Sequence, residues 1–256
     1  YSSTLITMAE KGADILRRVY GVAPSQIAVI PHGIPDLPWA APPEAKAKLG
    51  FAGRPVILTL GLIGPSKGIE TMIEAMPEVV SSAPQALYVV MGATHPHLLR
   101  QGHDQYRTAL LARVAALGLQ DHVLFLNRFA ERADLLDHVA MCDVYVSPYL
   151  EAAQMTSGTL AISHGMGRAV VATPYWHAQE LLGDGSGLLV PFGNRAALGA
   201  AVAGLLGNDD RRLAMAQHAY AASRGSTWKN SARRYAQIFA SLAASPAEQR
   251  YGTGWM

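Results

Sequence analysis

The sequence predicts an α/β protein built on a doubly wound parallel sheet, and three observations carry that prediction. Apolar runs of strand length recur at 4–7, 27–30, 56–60, 87–91, 123–126, 144–147, 170–173 and 187–190. Nearly all of them are continuously apolar, which suits strands buried on both faces of a parallel sheet better than the alternating strands of a sandwich. Between them lie segments with helical spacing at 9–20, 68–81, 105–117, 133–141 and 196–206, and strands that alternate with helices build a sheet covered on both sides.

Composition narrows the class. Of 256 residues, 50% are hydrophobic, 16% charged and 7% aromatic, with 21 basic against 19 acidic side chains. A disordered chain would be poorer in apolar residues and further from neutrality, and a membrane-spanning one would need an apolar stretch of about 18 residues. The longest apolar runs, at 55–63 and 169–173, are strand-sized and are closed by Gly or Pro, so no transmembrane segment is expected. A net charge of +2 with scattered Lys and Arg argues against nucleic acid as a partner. Cys142 is the only cysteine, which excludes an intramolecular disulfide and a cysteine-based zinc site and favours a reducing, cytoplasmic setting.

Taken in order, residues 1–32 read as strand, helix and strand, the chain opening at Tyr1 inside what reads as a strand. They are expected to be the end of an N-terminal domain whose remainder is absent. His32, Gly33, Pro35, Asp36, Pro38, Pro42 and Pro43 then crowd together; proline fixes φ and removes a donor, so 33–43 is expected to be an extended linker. Residues 44–225 hold the remaining strands and helices as one domain. Residues 226–244 close the chain with an amphipathic helix carrying Trp228, Tyr235, Ile238, Phe239 and Leu242 near one face.

In an open parallel sheet ligands bind beyond the carboxyl ends of the strands, so functional residues should follow strands. After 56–60 come Gly61, Leu62, Ile63, Gly64, Pro65, Ser66, Lys67 and Gly68 at a helix start. Glycines such as Gly64 admit an anion to the backbone, unpaired N–H groups face it and Lys67 adds a charge; an ordinary turn with a solvated lysine is the alternative. The spacing is not that of the nucleotide-triphosphate P-loop. After 144–147, Thr156 or Ser157 can cap a helix running to Met166, and Ser157, Gly158 and Thr159 offer consecutive N–H groups and two hydroxyls as a pyrophosphate cradle; simple capping is again the alternative. After 87–91, His95 can meet a phosphate or a sugar hydroxyl. His97 beside it lacks a third ligand, so no metal site is expected. Asn127 and Arg128 also fall at a strand end, where Arg128 can meet a phosphate or a base, or form a surface ion pair. Glu180, after Tyr175, Trp176 and His177, can accept from a sugar diol or act as a first-turn carboxylate. Asp209 and Asp210 read as helix caps.

The order of these motifs resembles the C-terminal, sugar-donor-binding half of a GT-B glycosyltransferase of family 4. The resemblance rests on Ile-Pro-His-Gly at 30–33, Gly-x-x-x-x-x-Lys-Gly at 61–68, Asp-Val-Tyr-Val-Ser-Pro at 143–148, Gln-Met-Thr-Ser-Gly-Thr-Leu at 154–160 and Gly-Arg-Ala-Val-Val-Ala-Thr at 167–173, and spans about 27–243. It implies a Rossmann-like domain that holds a nucleotide-diphosphate sugar such as GDP-mannose or a UDP-sugar, with no cofactor or metal. It further implies retaining transfer of a hexose, in a mannosyltransferase-like subgroup, to a glycan, lipid or small-molecule acceptor that the residues do not identify. On this resemblance Lys67 and the 157–159 amides stabilise the departing diphosphate and Gln154 orients the sugar.

The chain departs from the family pattern at three places. Leu62 stands where an Arg is usual, and Gln154 and Ile162 stand where two glutamates are usual, the first contacting sugar and the second ribose. These losses leave a second reading open, a binding module for nucleotide or phosphosugar without catalysis. A third treats the chain as a partner domain that acts through a protein interface.

Overall fold

The computed structural model of the chain describes residues 2–99 and 104–244. In order its elements are β1 (Leu5–Thr7), α1 (Glu10–Arg18), β2 (Ile27–Val29), α2 (Pro42–Leu49), β3 (Val56–Leu60), α3 (Ile69–Ser82), β4 (Leu87–Met91), α4 (Pro96–Leu99), α5 (Gln105–Ala116) and β5 (Val123–Leu126). They continue with α6 (Arg132–Met141), β6 (Val144–Ser147), α7 (Gly158–Gly165), β7 (Ala169–Ala172), α8 (Trp176–Leu182), β8 (Leu188–Leu189), α9 (Arg195–Leu206), α10 (Asp209–Ser223) and α11 (Trp228–Ala244).

The chain divides into two compact units, one of Tyr1–Asp36 with Arg224–Met256 and one of Leu37–Ser223. In the smaller, β1 and β2 pair in parallel through the crossover helix α1. The backbone around Ile34 bridges Thr227, and the Trp228 ring lies across Gly33, so α11 belongs with the N-terminal residues. On the large exposed surfaces of Trp228 and Phe239, half or more of each side chain is open, and Ser231 is the buried residue of this helix.

In the larger unit six strands pair in parallel in the order β5-β4-β3-β6-β7-β8. Successive side chains of each strand enter opposite layers. Ile57, Tyr88, Val90, Val144 and Val146 pack with α3, α5 and α9, while Val56, Leu58, Leu87, Val89 and Tyr145 pack with α6 and α8. Every residue of β3, β4, β6 and β7 is buried, as continuous apolar runs require. The chain leaves β3 toward β4 and β5 on one side, then returns to lay β6, β7 and β8 on the other. The β3–β6 boundary is therefore the switch point, where the two sets of loops part and open a crevice.

Two expected features differ. The proline-rich stretch is not extended to residue 43, because Pro42 opens α2; proline is tolerated in the first turn, where its missing N–H has no helical partner. The cap of α10 is not an aspartate: Asn208 Oδ1 accepts from Arg211 N at 2.9 Å, and Asp209 and Asp210 occupy the first turn.

Candidate functional site

The crevice is assembled by loops that leave β3, β4 and β6. Beyond β3 the backbone at Ile63 bridges Thr94, and His95 N donates to Ile63 O at 2.8 Å, so the loops after β3 and β4 run side by side. They approach so closely that a Cβ on Gly92, whose φ is +157°, would stand 1.9 Å from Gly61 O. Pro65–Lys67 forms one turn of 3-10 helix, and Gly68 at φ +61° swings the chain into α3. A side chain on Gly68 would meet Pro148 O at 2.0 Å, and Leu150 N donates to Ser66 O at 3.0 Å. Glycine at 68 thus lets the turn after β3 lie against the loop after β6.

That contact brings Lys67 to the loop after β6. Its Nζ sits 3.9 Å from the centre of the Tyr149 ring, and among the described residues no carboxylate forms an ion pair with it. At the other side of the crevice Ser157 caps α7, its Oγ accepting from Leu160 N at 3.3 Å. Of the three consecutive N–H groups expected to cradle an anion, that of Ser157 is already committed, donating to His177 Nδ1 at 2.9 Å. Those of Gly158 and Thr159 have no acceptor among the described residues, nor do those of Ile69 and Glu70 at the start of α3. A helix start with open N–H groups favours an anion.

Gln154 donates from Nε2 to Thr156 O at 2.6 Å, which folds the loop on itself and leaves its Oε1 as the group that can accept. Its own carbonyl accepts from His177 N at 3.3 Å, and Ala152 O accepts from Trp176 N at 3.1 Å, so the start of α8 clamps the loop from Ala152 to Ser157. Ile162, at the position where a ribose-binding glutamate is usual, packs into the apolar layer beneath α6 and α8.

Two cavities flank Leu62. One of about 180 Å³ is lined by Leu60, Met91, Gly92, Arg128, Phe129 and Thr159, and the other, of about 480 Å³, by Gly64, Ser66, Lys67, His95 and His97. Arg128 pairs through two hydrogen bonds with Asp134, at 3.0 and 2.8 Å, so the surface ion pair and the cavity wall coexist. Asn127 is exposed, and Glu180 lies on the exposed face of α8. His95 Nδ1 accepts from His97 N at 3.2 Å.

A second set of groups fixes the loop after β4. The buried Arg107 donates to Gly92 O at 3.2 Å, to Thr94 Oγ1 at 3.3 Å and to Asp104 at 3.1 Å, and Thr94 also donates to Asp104. Partial burial works against the Asp104 charge, but the bonds from Thr94 and Arg107 outweigh it and hold the carboxyl below the ordinary range. This clamp, Tyr149 and the acceptor role of His177 were not apparent from the sequence, because no spacing along the chain marks which side chains of these loops turn toward one another.

The architecture, a parallel sheet wound to both sides of β3 and β6, is that of a Rossmann-like domain of the GT-B fold. Solved structures share it: sucrose-phosphate synthase from Thermosynechococcus elongatus superposes with a TM-score of 0.79 at 24% identity, covering 94% of this chain and 58% of that one. Anabaena HepE in complex with UDP superposes with a TM-score of 0.81 at 22% identity, covering 94% and 65%. The family profile described as Glycosyl transferases group 1 matches residues 54–208, and the chain belongs to this family, the GT-B glycosyltransferases of family 4. A D-inositol 3-phosphate glycosyltransferase of Kineococcus radiotolerans is 29% identical over 250 residues, which cover 91% of this chain and 55% of that protein. A GDP-mannose-dependent alpha-(1-6)-phosphatidylinositol monomannoside mannosyltransferase of Mycolicibacterium smegmatis is 29% identical over 196 residues, covering 73% and 48%. The chain thus spans about half the length of these relatives. Among its described residues, no helix is long and apolar enough to cross a membrane.

Proposed function

We propose that this chain is the sugar-donor half of a retaining, metal-independent hexosyltransferase that takes mannose from a nucleotide-diphosphate sugar, GDP-mannose first among them. One observation carries the reading: Lys67 and the open N–H groups of α3 and α7 lie on loops that meet at the β3–β6 switch point, and among the described residues no carboxylate pairs with Lys67 and no protein group accepts from those N–H groups. The diphosphate lies there. As the bond from the sugar carbon to the diphosphate oxygen breaks, negative charge grows on that oxygen, and the Lys67 ammonium with the Gly158 and Thr159 N–H groups stabilises it. Gln154 Oε1 accepts from a sugar hydroxyl. The nucleoside occupies the smaller cavity, between the glycine backbone at 61 and 92 and the exposed Phe129 ring. The GDP-mannose dependence in the name of the Mycolicibacterium relative supports the choice of donor.

Calorimetry with GDP, UDP, GDP-mannose and UDP-glucose tests the proposal. GDP and GDP-mannose should bind more tightly than their uridine counterparts, with or without EDTA. Preference for uridine would overturn the donor assignment, loss on chelation would overturn metal independence, and no binding of any of the four would overturn the site. Leu62 in the usual place of an Arg favours a second reading, binding without transfer. A chain that binds GDP-mannose yet never consumes it, even when joined to an acceptor domain, would establish that alternative.

A further inference from the structure

Lys67 is held at the crevice by an aromatic face. Tyr149 is 2% exposed and stacks on Tyr175 with ring centres 4.9 Å apart and planes 17° from parallel. Tyr175 is itself held, its hydroxyl sharing a hydrogen bond with Ser147 Oγ at 2.8 Å. The backbone beneath is fixed as well, because Thr173 Oγ1 donates to Tyr149 O at 2.5 Å. The Tyr149 ring is therefore immobilised on both its covalent and its stacked side. Its upper face receives the Lys67 ammonium, and its hydroxyl lies 3.3 Å from Ser157 Oγ, the cap of α7.

A lysine side chain loses considerable rotamer freedom when it is held in one place, and an ammonium that must find a diphosphate from solution meets that cost on binding. A preformed aromatic seat meets it during folding instead. The electrostatics agree: burial alone would push the Tyr149 phenol up, but the Lys67 charge, then hydrogen bonding from Lys67 and from the Ser157 and Thr159 hydroxyls, more than offset it and bring the phenol below its ordinary value.

We propose that Tyr149 is a positioning residue of the sugar-donor site, whose ring seats the Lys67 ammonium and whose hydroxyl ties that seat to the cap of α7, so that cation and helix start meet one diphosphate together. The inference rests on the nucleotide-diphosphate reading given above. Tyr149 acts through Lys67 and does not touch the reacting atoms. It predicts that the aromatic face matters more than the hydroxyl, and that it matters only while Lys67 is present.

The test is calorimetry with GDP and UDP on the full chain carrying Tyr149→Phe, Tyr149→Leu, Lys67→Ala, or Lys67→Ala with Tyr149→Leu, each checked by thermal unfolding. Loss of a cation–π contact should weaken binding by roughly 3- to 30-fold in Tyr149→Leu. Tyr149→Phe, which keeps the ring, should restore most of that loss. In the Lys67→Ala background the leucine substitution should add nothing further. Should Tyr149→Leu fail to fold, Tyr149→Met removes the aromatic face while keeping an apolar side chain, and the same three results are read from it. Equal losses in the Phe and Leu proteins, or a Leu effect undiminished without Lys67, would overturn the role of the ring. If Lys67→Ala weakens nucleotide binding and Tyr149→Leu does not, this inference alone fails. If the unmodified chain binds neither nucleotide, the reading of the site has failed, and the inference with it.

Discussion

The two ends of the central sheet carry polar groups of the same kinds and treat them in opposite ways. Where β3 and β6 begin, Lys46 Nζ lies 2.5 Å from Asp143 Oδ2, with side chains 11% and 8% exposed, and the same oxygen accepts from Val56 N at 2.6 Å. Beside it the Arg168 guanidinium donates to the carbonyls of Met166, Ala140 and Ala40. Burial pushes the Cys142 thiol in this region up to about 12, so it stays a neutral thiol. Where β3 and β6 end, Lys67 has an aromatic face in place of a carboxylate, and four helix-start N–H groups have no protein acceptor among the described residues. A buried polar group without a partner costs more than a satisfied one returns. The saturated end therefore joins α2 to the sheet, and the open end leaves N–H groups unused among the described residues, as the ligand site proposed above requires.

The contrast breaks most visibly at the saturated end. Lys46→Met strands the Asp143 carboxylate, and removing one partner of a buried ion pair should cost about 3 to 5 kcal/mol, read from urea unfolding. Nucleotide affinity of the folded fraction should not change; if it does, the two ends are coupled and the contrast is wrong. At the open end, Lys67→Ala should weaken GDP binding by about 1.5 to 3 kcal/mol, the range for hydrogen bonds to charged groups. Its unfolding free energy should stay within about 0.5 kcal/mol of the parent's, as for substitutions outside a packed core. A loss of stability in place of affinity would move Lys67 to the structural class.

Ser157→Ala sits between these cases. Loss of the cap should destabilise the chain by about 0.5 to 2 kcal/mol and also weaken nucleotide binding, because the same residue fixes the α7 start. A stability change with unaltered affinity would separate the cap from the site. The smallest effect concerns Asp104, whose carboxyl is held below its ordinary pKa of about 4. A depressed folded value contributes stability that is present above the ordinary carboxylate pKa and is lost as pH falls through the folded value. Asp104→Asn should therefore be less stable than the parent at neutral pH and converge with it in acid, measured by thermal unfolding across pH. A constant difference at every pH would show that the Thr94–Arg107 clamp does not depend on the charge.

Legibility followed the range of the forces involved. The bounds of β3, β4 and β6 agree with the runs at 56–60, 87–91 and 144–147 because strands buried on both faces favour near-continuous apolar residues, and the edge strand β5 keeps the bounds of the run at 123–126 although it is mostly half-buried. The helix α2 escaped notice because Pro42 and Pro43 mark a break in most contexts and a first turn in a few. In α10 the sequence Asp-Asp-Arg-Arg-Leu-Ala-Met-Ala-Gln-His-Ala-Tyr-Ala-Ala-Ser shows little apolar periodicity, so its helix was marked only at its start. Lys67 and the Ser157, Gly158 and Thr159 segment were legible as anion-binding candidates because each belongs to one strand-to-helix turn.

The sequence by itself determined which runs become strands, which strand-to-helix turns carry candidate anion-binding groups, and the family to which their order belongs, since each depends on neighbours close along the chain. Only the tertiary structure decided which of those turns meet. Tyr149 beneath Lys67 and His177 on the Ser157 N–H each join residues from different strand-to-helix connections. The two-sided winding of the sheet at β3 and β6 brings these connections together, and no local spacing records that closeness.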